Sequence, residues 1–137
     1  MNQSISNQIA HLKGQKNKIM KSSKILLKIA SIIMLLHGLT LLISTLVSPQ
    51  NLALPAEFLD FVMGATFCGI LLALLLGVLL WMLSCTKNEA NTKLLWIVAT
   101  ATVVLGIIEI IFFFPYIIGI LPGILAFIAL FLRSRQK

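Results

Sequence analysis

The sequence predicts an all-α integral membrane protein: a four-transmembrane-helix up-down bundle with both termini cytoplasmic. Three observations predict it. The 137 residues are 59% hydrophobic and 11% charged, with a mean hydropathy of +1.04, well outside the composition of soluble domains. The apolar residues gather into four runs, at 25–47, 58–83, 94–114 and 116–132, each close to the ~20 residues that cross a bilayer as a helix. All eleven Lys and Arg residues flank these runs on alternate sides of the chain's path, and so on one side of the implied membrane. Lys13, Lys16, Lys18, Lys21, Lys24 and Lys28 precede or begin the first run, Lys87 and Lys93 lie between the second and third, and Arg133, Arg135 and Lys137 follow the fourth. Basic residues near span ends stay in the cytoplasm, which sets the orientation.

Residues 1–24 form a basic cytoplasmic segment. Ile5, Ile9 and Leu12 recur at helical spacing ahead of Gly14 and a lysine-rich stretch. This pattern fits either a short amphipathic helix on the inner leaflet or a disordered tail that serves only topology. Residues 25–137 form the membrane domain. The first run is longer than a signal-peptide core and lacks a small-residue cleavage site, so it is expected to remain as a span. Lys28 lies one turn inside it, with a stem long enough to return its ammonium to the headgroups. Pro55 suits the first position of the second helix, and Glu57 and Asp60 complement the positive end of its dipole. Trp81 and Trp96 fall at the cytoplasmic interface, and Phe112, Phe113, Phe114 and Tyr116 form a matching aromatic belt outside. Pro115 is where the chain reverses, and Pro122 should kink the fourth span near residues 118–122.

Small residues predict close helix packing. Ala65, Gly69, Ala73 and Gly77 recur every four residues on the second span, Thr102 and Gly106 on the third, and Gly119 and Gly123 on the fourth, continued by Ala126. Such stripes let backbones approach where lipid offers no hydrophobic driving force. They fit contacts within one chain or between chains.

Ionisable residues inside the spans are the candidates for function, because burying them is costly. They are His37 on the first span and Glu109 on the third. Burial favours the uncharged form of each. Helical rise from the span ends puts the two roughly 5–10 Å apart in depth, with Glu109 level with Ser44 and Thr45. Ser44, Thr45 or a backbone carbonyl exposed near Gly64 or Gly119 is therefore the expected partner of Glu109. An interhelical hydrogen bond to Thr40 or the neighbours of Ser31 on other spans is expected for His37, and a direct His37–Glu109 pair requires tilt. Cys68 and Cys85 lie seventeen positions apart on one helix, or about 25 Å, too far for a disulfide. Cys68 reads as a small packing residue, and Cys85 as a free thiol at the cytoplasmic edge.

No catalytic function is expected. The sequence holds no H-E-x-x-H, G-x-S-x-G or glycine-rich phosphate loop, and the spans lack the three ligands that a zinc site needs. No cofactor and no metal are expected. The net charge of +7 is explained by topology and by anionic headgroups on the cytoplasmic side, not by nucleic acid. The expected function is that of a small non-enzymatic multi-pass protein of the plasma membrane. It would act through helix–helix contacts as an accessory, regulatory or immunity-type protein, with itself or another membrane protein as partner. The alternative is a small proton- or cation-coupled transporter or channel-like oligomer using Glu109. The abundance of Ile, Lys and Asn suggests an AT-rich bacterial genome.

Overall fold

The computed structural model describes residues 2–47, 56–86, 92–112 and 117–135. Its regular structure is helical throughout: α1 (Asn2–Val47), α2 (Ala56–Cys85), α3 (Thr92–Phe112), a 3-10 turn (Ile117–Ile120) and α4 (Leu121–Ser134). Segments within α1, α2 and α3 (Gln3–Val47, Phe58–Cys85 and Thr92–Ile111) are long and apolar enough to cross a membrane. The fourth apolar helix is shorter. Its 14 residues span about 21 Å, and the 3-10 turn ahead of it adds about 8 Å.

The helices alternate in direction, as interhelical contacts record. Ser23 on α1 meets Ala129 and Arg133 on α4, and Lys28 on α1 lies over Trp81 near the end of α2. α1 packs most extensively against α2 and then α4, while α3 packs against α4 and the 3-10 turn. Each helix contributes a buried stripe with steps of three and four. On α1 it is Ser23, Leu27, Ala30, Met34 and His37; on α3 it is Leu95, Val98, Thr102, Leu105 and Glu109. This is the spacing that keeps one face of a helix against its neighbours. Both ionisable residues sit at the far end of such a seam.

α1 differs from the expected layout. One helix of 46 residues, about 69 Å long, runs through Lys24 without a break. It replaces both the separate surface helix and the disordered tail. Gly14 costs about 1 kcal/mol relative to Ala in a helix, too little to interrupt a segment with five lysines and three glutamines that extends an already packed helix. Residues 3–18 are exposed on every face and stand clear of the bundle.

The fourth span also departs from expectation. Instead of a kinked α-helix, the chain makes the 3-10 turn and starts α4 at Leu121, with Pro122 in the first turn. Proline has no N–H to donate and a fixed φ, so it fits a first turn without loss and would be costly further in. The expected features at 48–55 and 113–116, including the reversal at Pro115 and most of the aromatic belt, lie outside the described residues.

At the basic end, Arg133 ties three helices together. Its Nε donates to Ser23 Oγ at 3.0 Å and its Nη2 to the Leu83 carbonyl at 3.2 Å, while Ser23 Oγ donates to the Ala129 carbonyl at 3.2 Å. Burial lowers the guanidinium from its ordinary value, and these bonds offset the desolvation. Higher up, Ser31 Oγ donates to the Gly77 carbonyl on α2 at 2.7 Å.

The small-residue stripes divide. A Cβ on Gly77 would lie 2.9 Å from the Leu35 side chain, and one on Gly123 would lie 2.5 Å from Val103 Cγ2. A Cβ on Gly106 would lie 2.8 Å from Ile120 Cα and 2.9 Å from the Gly119 oxygen. Ala73 and Thr102 are fully buried, with Thr102 returning a hydrogen bond to Val98 on its own helix. In the other half of the α2 stripe, Ala65 is exposed and Gly69 has nothing around its Cβ position. Cys68, expected among packing residues, is exposed as well.

Glycine substitutions should therefore sort by position. Gly106→Ala forces backbone apart and should cost about 1–3 kcal/mol of unfolding free energy. Gly64→Ala or Gly69→Ala should be neutral or stabilising by up to about 1 kcal/mol. Unfolding in mixed micelles by a denaturing detergent measures both.

Candidate functional site

The His37 imidazole and the Glu109 carboxyl meet inside the bundle. His37 Nε2 lies 2.7 Å from Glu109 Oε2, with the residues 7% and 6% exposed. A hydrogen bond this short between two titratable groups carries one proton on the line between them, in whichever direction it points. Glu109 Oε1 is buried and has no hydrogen-bond partner among the described residues. The arrangement is therefore a carboxyl with one oxygen held by an imidazole and the other buried without such a bond.

Three elements build it. α1 directs His37 inward at the end of its buried seam, and α3 does the same for Glu109. The third wall is the 3-10 turn, and there the residue must be Gly119. An added Cβ would collide with Glu109 Oε2 and lie 3.3 Å from His37 Nε2. Gly106, one turn before Glu109, lets the same stretch of backbone settle against α3. Gly106 and Gly119, singled out as packing residues, thus also give the pair its space.

The partners differ from those expected. Ser44 is exposed, and Thr45 returns its hydroxyl to the Leu41 carbonyl on its own helix at 2.8 Å. Thr40 does likewise to the Leu36 carbonyl. Neither Ser44 nor Thr45 meets Glu109. The depth estimate that favoured them counted rise from the ends of the apolar runs. Helix register is set instead by interhelical contacts: Ser23 against Ala129 fixes α1 on α4, and Gly123 against Val103 and Gly106 against Ile120 fix α4 and the 3-10 turn on α3. With this register His37 lies level with Glu109. Ser23, Ser31 and Arg133 carry interhelical bonds that the sequence reading did not single out. The available signal for the first was its place on the same seam as His37.

Chemically, the pair can hold protons. With Nε2–H donating to a carboxylate, it carries one negative charge. One further proton makes it neutral, as imidazolium with carboxylate or as imidazole with carboxylic acid. Among the described residues no group of three His, Cys, Asp or Glu side chains comes together.

Removing the partner of a buried polar group costs more than replacing it. Glu109→Ala should lower stability by about 1–3 kcal/mol, and Glu109→Gln, which still offers His37 a hydrogen bond, should lower it less. Gly119→Ala should destabilise by a similar ~1–3 kcal/mol through overpacking. That cost should shrink in a Glu109→Ala background, because the oxygen it strikes is gone. A double-mutant cycle on unfolding free energies checks the coupling, and strict additivity would argue against the contact.

The chain matches no protein-family model and finds no counterpart among curated proteins or solved structures.

Proposed function

We propose that this chain is a small multi-pass protein of a bacterial plasma membrane, with four spans and both termini cytoplasmic. In this reading it works as a proton- or cation-coupled transporter or channel-like oligomer, with His37 and Glu109 as its exchanging group. The observation that carries it is the 2.7 Å pair with one buried, unpartnered carboxylate oxygen. Ionisable residues in membrane interiors are rare, and where they occur they commonly serve proton or ion movement. The one-sided basic residues support the orientation. The 3-10 turn that leads into α4 forms a wall of the pair.

A second reading, an accessory protein acting through helix contacts, draws on a separate observation. Gly64, Ala65, Cys68 and Gly69 form a small-residue surface on α2 that no described residue of the chain covers. Such a surface suits close approach by another helix. Neither reading involves catalysis.

Two measurements test the proposal. Membrane-impermeant thiol reagents should label Cys85 in inverted vesicles but not in intact spheroplasts; labelling from outside would reverse the orientation. Proteoliposomes carrying an entrapped pH dye should dissipate an imposed proton gradient faster than empty liposomes. The Glu109→Gln and His37→Asn proteins, if folded, should lose that difference. Wild-type vesicles indistinguishable from empty ones, or full activity in Glu109→Gln, would leave the helix-contact reading in its place.

A further inference from the structure

We propose that the cleft between the basic part of α1 and the C-terminal end of α2 is a binding site for the phosphate headgroup of one anionic lipid molecule. The inference rests on the membrane reading but not on proton exchange. The cleft has a volume of about 390 Å³ and is lined by Lys21, Lys24, Ile25, Lys28, Ser84 and Cys85. Among the described residues that line it, three are lysines and none is acidic.

The three lysines fall at steps of three and four on α1, so one helix face presents all of them to the same space. Lys28 is held with its ammonium 5.6 Å from the centre of the Trp81 ring, an arrangement that orients a flexible chain before any ligand arrives. Ser84 contributes a hydroxyl, although it already donates to the Trp81 carbonyl at 2.6 Å, so it is available as an acceptor rather than a donor. The anion must therefore be held by the ammonium groups. Ile25 supplies an apolar wall, and exposed Ile29 and Ile32 continue along α1 toward the apolar part of the bundle. A charged head with an apolar continuation is the form of a lipid, whereas a free phosphate would use only the lysines. Basic pockets between helices at the cytoplasmic level are known to hold such headgroups.

The cleft has a second electrostatic element. α2 ends at Cys85 with no basic residue in its own last turn, and a helix C-terminus carries partial negative charge. Arg133 of α4 already donates to the Leu83 carbonyl in that last turn, and α1 brings three lysines beside it. Three ammonium groups exceed the half charge of a helix end, and the surplus is what attracts an anion.

The test is native mass spectrometry of the full chain released from nanodiscs of phosphatidylcholine doped with phosphatidylglycerol. The wild-type protein should retain one phosphatidylglycerol in strong preference to phosphatidylcholine. Lys24→Gln with Lys28→Gln should reduce that occupancy by about tenfold or more. Lys13→Gln with Lys16→Gln removes equal charge from the same helix outside the cleft and should leave it unchanged. Equal loss in both double variants, or no preference in the wild type, would overturn the site in favour of diffuse surface attraction. Displacement of the lipid by millimolar inorganic phosphate would overturn the lipid assignment and point to a soluble phosphate ligand. Because the wild-type comparison needs no substitution, a misfolded variant leaves the proposal open to refutation. The Glu109→Gln protein should retain the lipid as the wild type does, which separates this site from the proton-exchanging pair.

Discussion

The architecture depends on burying a carboxyl and an imidazole together. Either group alone in an apolar interior would be expensive, because no water replaces its lost hydrogen bonds. Together, at 2.7 Å, they satisfy one another along a single line. That line joins α1 to α3, which are remote in sequence, and it requires the backbone between α3 and α4 to pass close by. The passage is open only because residues 106 and 119 lack a Cβ. The 3-10 turn, the placing of Pro122 in a first turn, and the packing of α3 on α4 all belong to the same local solution.

The two ends of the bundle are held by different physics. At the basic end, Arg133 crosses from α4 to α1 and α2 through charge-assisted hydrogen bonds to Ser23 and to the Leu83 carbonyl, and three lysines of α1 lie beside the end of α2. At the level of the pair, contacts are short, polar and enclosed. Between them the seams are apolar, built from Leu27, Ala30, Met34, Leu80, Val98, Ala126 and Leu130. A continuous α1 links these layers, since it carries Ser23, Ser31 and His37 on one buried side.

Much of this was legible beforehand. Hydropathy and length mark the helices, because a helix that satisfies its own backbone is the economical way to place an apolar segment in lipid. Glu109 and His37 stand out because ionisable groups are so few among the apolar residues. Their partnership was not legible. Depth counted from run ends assumes that the ends lie at one level, and the unbroken extension of α1 past Lys24 removes that reference. Similarly, the stripe on α2 is uniform in sequence, yet Ala73 and Gly77 pack against α1 while Ala65 and Gly69 do not. Composition cannot distinguish the halves, because their difference depends on where the neighbouring helices lie.

The amino-acid sequence by itself determined the helical class, the four apolar segments and the short set of residues worth suspecting. These follow from local quantities: transfer free energy, helical rise and the scarcity of charge. Only the tertiary structure decided that Glu109 meets His37 rather than Ser44 or Thr45, that Gly119 is the wall of their site, and that three lysines share a cleft with the end of α2. Such pairings depend on helix register and rotation. Those are settled by many side-chain contacts acting at once, and no single segment of the chain contains them.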